Sequence, residues 1–373
     1  MNLNILHTPE GVRDLYGAEL RRKHQVETAV RGTIDSFGYE PIETPTFEFF
    51  DVFSREVGTT PSKDLYKLFD KDGNTLVLRP DFTPSIARCA AIYFMKDSAP
   101  LRLSYEGKTF ANVKSLQGKL QEVTQMGAEL IQDGSVQADA EMIILVVSVL
   151  KACGLENFQI SVGHMEYFKG LCEEAGLDRD TEIALREAIS AKNIFAAEEL
   201  LAPFSISEDV KQALLKVTDL FGSVMDLGLA RELAHNARSI AALDRLKALS
   251  EILKAGGVDR YVSYDLGLLS KYHYYTGIIF KAYSYGAGDA IVKGGRYDQL
   301  LHYFGKDAPA VGFAVVVDDV MEALDYQKAA IPAAEEAVTL SYHNEETYLK
   351  ALAEAAVLRG QGRRVVLTGE VSK

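Results

Sequence analysis

The stretch from Tyr261 to Phe313 reads YVSYDLGLLSKYHYYTGIIFKAYSYGAGDAIVKGGRYDQLLHYFGKDAPAVGF. It carries an aromatic cluster, Tyr272-His273-Tyr274-Tyr275, followed by a β-type run from Gly277 to Tyr283. Gly294-Gly295-Arg296-Tyr297-Asp298 reads as a glycine turn, and Ala310 to Val317 as an apolar strand. Tyrosines alternating with small residues on strands can wall a pocket that is apolar in body and polar at its rim. The same pattern fits an ordinary core sheet, and this stretch alone leaves both readings open.

Working outward, Ala18 to Phe37 has Leu20, Val26, Val30, Ile34 and Phe37 at helical spacing, and Gly38 ends the helix. The prolines of Tyr39-Glu40-Pro41-Ile42-Glu43-Thr44-Pro45 push their predecessors toward extended geometry. Phe47 to Val57 reads as an aromatic-rich helix. Leu65 to Phe69 and Leu76 to Arg79 flank a glycine turn and form a hairpin. Pro80 to Pro84 opens a helix from about Ser85 to Met95. Leu101 to Glu106 and Glu122 to Ile131 read as strands, with a long polar loop, Lys108 to Gln121, between them. A buried helix, Asp139 to Cys153, and a strand, Phe158 to Val162, follow.

From Glu166 to Ala255 the pattern is helical throughout, which reads as an insertion into a mixed αβ domain spanning residues 1–328. Ala330 to Glu336 reads as a linker. The tail, residues 336–373, gives strand, helix and strand: a β-α-β unit too small to stand alone.

The 373 residues carry a formal net charge of -13, and no basic run offsets it. That field opposes polyanions, so binding to tRNA or other nucleic acid is not expected. Cys89, Cys153 and Cys172 are spaced for neither a disulfide framework nor a metal site, which points to a reducing, cytoplasmic setting. The amino terminus has no signal pattern. The longest apolar run, Ile143 to Leu150, is too short to cross a membrane.

No phosphate loop, dinucleotide fingerprint, HExxH or GxSxG string is present. His164, His273 and His302 are isolated; His273, inside the tyrosine cluster, is the best candidate among them. In Arg79-Pro80-Asp81-Phe82-Thr83, an extended backbone would turn Asp81 and Thr83 the same way to receive an ammonium group. The competing reading is that Asp81 or Thr83 caps the following helix. Gln125 and Glu129 share one face of a strand, and Gly127 between them would leave room for a small ligand. A solvent-facing polar edge is the alternative.

Together these strings resemble the catalytic core of class II aminoacyl-tRNA synthetases, specifically histidyl-tRNA synthetase. The matching pieces are TPEGVRDLYG, FGYEPIETPTFE, LVLRPDFTPSIAR, SYEG with QEVTQMGAELI, YHYYTGIIFKAY, GGRYD and AVGFAVVV. The resemblance implies an α+β fold with a mixed, mostly antiparallel sheet flanked by helices. It also implies that Asp81, Thr83 and Gln125 hold an amino group, and that Glu129 and Tyr275, beside Tyr274, hold an imidazole. Asp81 is one methylene shorter than the family's glutamate. Arginines that grip ATP or the adenylate in the synthetase correspond by alignment to Ser104, Ser270 and Asp319. Without those fixed cations, adenylyl transfer is not expected.

The pattern is similar to the histidyl-tRNA synthetase-like regulatory subunits of ATP phosphoribosyltransferase. That resemblance implies a non-catalytic protein with no cofactor, acting in histidine biosynthesis. Its partner would be a short-form catalytic subunit, with this chain as a homodimer within a hetero-octamer. It also implies a part in histidine feedback, a self-association surface between Phe37 and Phe53, and a tail reduced relative to the synthetase's anticodon-reading domain. A divergent histidyl-tRNA synthetase, or another ATP-dependent histidine-activating enzyme, is the alternative.

Overall fold

The computed structural model describes residues 6–53, 60–112, 120–223, 227–270, 274–329 and 337–369. The first helix, α1 (Gly17–Ser36), buries Val26, Val30 and Ile34 along one stripe, and Gly38 leaves it in the left-handed region. The extended segment after it contributes β1 (Glu40–Pro41) to the edge of the main sheet.

The helix expected over Phe47 to Val57 is not formed in the described part. Instead β2 (Phe47–Phe49) pairs antiparallel with the hairpin of β3 (Lys67–Phe69) and β4 (Thr75–Leu78), giving a separate three-stranded sheet. Phe47 and Phe49 are two apart, so they share a strand face, and ladder bonds to Leu76 and Leu78 override the aromatic spacing.

The helix α2 (Thr83–Tyr93) follows, then the long antiparallel pair β5 (Leu101–Phe110) and β6 (Glu122–Ile131). The polar segment expected as loop from Lys108 is strand as far as Phe110, because pairing with β6 continues to Glu122. Next come α3 (Val136–Ala152), β7 (Phe158–His164) and a helical stretch. That stretch comprises α4 (Met165–Glu174), α5 (Arg179–Ser190), α6 (Ile194–Leu201), α7 (Glu208–Lys216), α8 (Gly228–Leu233) and α9 (Ala237–Ala255). A two-residue strand, β8 (Phe221–Gly222), interrupts it and adds to the main sheet, an exception to the all-helical expectation.

The opening stretch supplies β9 (Val262–Asp265), β10 (Ile278–Ser284), β11 (Val292–Arg296) and β12 (Ala310–Val316), followed by α10 (Val317–Gln327). Gly294 and Gly295 are therefore strand interior, not a turn. A side chain on Gly294 would overlap the Phe280 ring, and one on Gly295 would lie 2.7 Å from the Tyr275 ring. Beyond the linker residues, which lie outside the described part, β13 (Val338–Tyr342), α11 (Glu345–Gly360) and β14 (Val365–Gly369) form a parallel two-stranded unit.

The main sheet runs β1-β5-β6-β12-β11-β10-β7-β9-β8. It is antiparallel except for β1 with β5 and β7 with β9. Met126, Ala128 and Leu130 face one side, where they join the buried core with α1 and α3. The intervening Gln125, Gly127 and Glu129 face the other, as period-two geometry demands. A buried ion pair ties the helical layer to the sheet: Lys23 Nζ lies 2.9 Å from Asp318 Oδ1, and the second Asp318 oxygen accepts from the Thr124 N–H at 2.7 Å.

Candidate functional site

On the sheet face away from α1 lies a cavity of about 200 Å³. Asp81, Thr83, Gln125, Glu129, Tyr274 and Tyr275 all line it. That is smaller than a drug-sized pocket and suits a molecule the size of one amino acid.

Glu129 is its deepest charged group, 1% exposed. The Thr83 hydroxyl donates to Oε1 at 2.7 Å, and the Tyr297 hydroxyl donates to Oε2. Burial outweighs both donors and pushes the carboxyl up to about 8, with nearby Asp81 adding to the rise. At neutral pH Glu129 thus holds a proton and can donate as well as accept. Gly312 makes this placement possible, because any side chain there would overlap the Glu129 carboxylate.

Asp81 serves two ends at once. Its Oδ1 accepts from the Phe82 N–H at 2.7 Å and from the Thr83 N–H at 3.4 Å while the residue lines the cavity; the N-cap position of α2 is Phe82, and no side chain caps it. Thr83 is not the cap; it sits inside the first turn and turns its hydroxyl to Glu129. Gln125 has a buried side-chain oxygen with no hydrogen-bond partner among the described residues, an acceptor left for something in the cavity.

Two expectations for this region need correction. Gly127 does not hold open space for a ligand: a side chain there would meet the Tyr105 hydroxyl and the Phe313 carbonyl oxygen. The glycine accommodates Tyr105, which stacks on Phe82 at 4.5 Å and donates to Phe313 O at 3.3 Å. Ser104 is not at the cavity either. Strand alternation turns it toward α1, into a cleft with Arg31 and Glu106. The residues of the β5 arm that reach the cavity are Thr109, Phe110 and then Ala111.

The tyrosines are fixed by their surroundings. Tyr275 O accepts from Lys169 Nζ at 3.2 Å, and Thr276 bonds Arg296 O and the Asp298 N–H. Tyr274 packs edge-on against Tyr297 at 5.9 Å. Arg296, the cation of the GGRYD string, is buried and held by Asp139 at 2.7 Å, so it stiffens β11 rather than facing a ligand.

Reading the sequence missed Tyr297 and Lys293, both lining the cavity. It also missed Gln121, whose backbone N–H donates to Gly11 O, so the TPEGVRD segment frames the rim. A second cleft of about 620 Å³ shares Tyr275 and Lys293 with the cavity, and Ser270 lines it. Asp319, in the first turn of α10, is pushed up to about 6 by burial, with Glu322 and Asp289 adding and Lys293 opposing. His164 is buried, and its Nδ1 accepts from the Glu166 N–H at 3.3 Å at the head of α4. His302 is exposed beside Asp307, and His273 lies outside the described residues. Among the described residues no His, Cys, Asp or Glu cluster is arranged to hold a metal. No described helix is long and apolar enough to cross a membrane.

A mixed sheet carrying a cavity between its open face and a helix start is the class II aminoacyl-tRNA synthetase architecture. The histidyl-tRNA synthetase family model matches residues 11–320. A solved histidyl-tRNA synthetase from Nostoc has the same fold, with a TM-score of 0.81 and 20% identity over 98% of this chain and 86% of its own. Within that class, the chain belongs to the family of ATP phosphoribosyltransferase regulatory subunits. The relative of that name from Acetivibrio thermocellus is 41% identical over 96% of this chain and 86% of its own. The one from Clostridium kluyveri is 38% identical over 95% and 91%. A solved structure from Bacillus halodurans, described as an ATP phosphoribosyltransferase regulatory subunit/histidyl-tRNA synthetase, superposes with a TM-score of 0.88. It is 33% identical, covering 99% of this chain and 94% of the other.

Proposed function

We propose that this chain is a non-catalytic subunit that a short-form ATP phosphoribosyltransferase catalytic subunit needs in the first step of histidine biosynthesis. Its cavity takes free histidine. Asp81, Thr83 and Gln125 receive the amino group, and Glu129 with Tyr275 and Tyr274 receives the imidazole. Occupancy is the signal for feedback inhibition.

One observation carries this reading. The six side chains suited to an amino acid converge in one cavity, while among the described residues the arginines that adenylate chemistry needs are not beside it. Among the described residues lining that cavity Lys293 is the one cation, and Asp319 places an acid where the synthetase resemblance implies an arginine. An acid there repels a polyphosphate instead of neutralising it. The acidic net charge of -13 likewise supports a chain that does not bind tRNA.

Reconstitution tests the role. Purified chain added to a short-form catalytic subunit is expected to raise condensation of ATP with phosphoribosyl pyrophosphate and to make it histidine-sensitive. No effect on that subunit would sink the proposal. The chain alone is expected to show no histidine-dependent exchange of pyrophosphate into ATP; clear exchange would favour an active synthetase-like enzyme instead.

A further inference from the structure

Lys293 is the cation that both hollows share, and we infer that its ammonium group binds the α-carboxylate of the amino-acid ligand. This rests on the reading above that the cavity takes a free amino acid. Lys293 lines the cavity and also the neighbouring cleft to which Ser270 contributes. Ser270 itself offers no positive charge to that space.

The sheet register gives the reach. Glu129 pairs with Gly312, and Gly312 with Gly295. Two residues along β11 from Gly295, Lys293 pairs with Ala314, so its side chain leaves the same face as that of Glu129. The two residues are offset by two strand spacings, about 10 Å across, and by one side-chain repeat, about 7 Å along. The Glu129 carboxylate lies over Gly312 and the Tyr275 ring over Gly295, and Ala314 adds only a methyl group between them and Lys293. An extended amino acid with its ring at Glu129 therefore presents its carboxylate toward Lys293, and Asp81 stands on the other wall for the ammonium.

The charge of Lys293 has a partner of its own: Nζ lies 3.0 Å from Asp289 Oδ2, four residues back. Both side chains are about half exposed, so this pair is weak and exchangeable. Lys281 lies directly opposite Lys293 on β10 and faces the same cleft. Asp265 lines that cleft as well, and Lys281 acts on its carboxylate, so Lys293 is the cation of this pair that also reaches the cavity. A carboxylate ligand would take Lys293 over from Asp289.

Calorimetric binding on the full chain tests this with three probes: L-histidine, L-histidinamide and histamine. Lys293→Met is expected to weaken L-histidine about tenfold, the lower end for a charged hydrogen bond at a half-exposed site. It should leave the two probes without a carboxylate within about twofold. Asp289→Asn, which releases Lys293, is expected to strengthen L-histidine alone. Equal loss for all three probes, or no loss, in a folded Lys293→Met variant would overturn the inference and leave the histidine-cavity reading standing. If the unmodified chain binds neither L-histidine nor histamine, that underlying reading fails, and this inference with it. Should Lys293→Met not fold, Asp289→Asn decides: a rise confined to L-histidine supports the assignment, and any other result overturns it.

Discussion

Glu129 shows how much of the site one residue controls. Its raised titration makes stability pH-dependent in a defined sense. The unfolded chain ionises this carboxyl near 4.5, whereas the folded chain keeps the proton up to about 8. Between those values the native state binds more protons, so stability falls as pH rises. Glu129→Gln cannot ionise and should lack this slope. Urea melts from pH 5 to 8.5 are expected to show the variant gaining on the parent by a few kcal/mol by pH 8, at about 1.4 kcal/mol per unit. A constant offset across that range would contradict the assignment. Gly312→Ala should be worse than its size suggests, because its methyl group would displace the Glu129 carboxylate. Loss of histidine binding with about 1–3 kcal/mol of destabilisation is expected in melts and calorimetry. Gln125 and Glu129 were legible in the sequence because four residues along a strand return to one face. Tyr297 and Lys293 were not, since Gly294-Gly295 read as a turn. A glycine pair marks a chain reversal and a close ring contact with the same letters.

At the scale of elements, the strand Glu122 to Ile131 was readable to the residue, and its partner β5 only in part. Polar side chains on Lys108 and Thr109 masked the strand, whose stability comes from ladder bonds to β6 that no local pattern announces. Ser104 was misplaced for a related reason: a motif spacing does not say which face of β5 a residue takes. The head of α4 carries its own pH dependence. Burial holds the His164 ring down to about 3, so it stays neutral and its Nδ1 accepts from the helix start. The unfolded ring titrates near 6.5, so stability is lost as pH falls from there toward 3. His164→Asn keeps an acceptor for the cap and should reduce the acid slope of unfolding by one proton. The small sheet that replaced the expected helix exposes Phe47 and Phe49 on one strand face, each more than half accessible. Exposed rings of that size mark a contact surface. We propose that two copies of the chain meet there; Phe47→Ser with Phe49→Ser should shift sedimentation toward a single copy, and unchanged association would rule this surface out.

For the whole molecule, the order of strings from TPEGVRD to AVGFAVVV identified the fold, because seven weak signals in one sequence order constrain each other. Their joint geometry needed the coordinates. The main sheet draws neighbouring strands from segments almost two hundred residues apart, as where Gln125 pairs with Val316. On partners, composition supplies only an expectation: a net charge of -13 opposes a polyanionic one. The glycines beneath the cavity have a consequence for how such a protein changes over time. Gly312 seats the Glu129 carboxylate and Gly295 the Tyr275 ring, so a side chain added at either glycine pushes one of those groups into the hollow. Point mutation at these two glycines can therefore shrink the hollow or roughen it, but cannot deepen it. Drift toward a bulkier ligand is closed at both positions. A descendant that came to bind something larger would have to open the walls, beginning at the shared boundary formed by Tyr275 and Lys293.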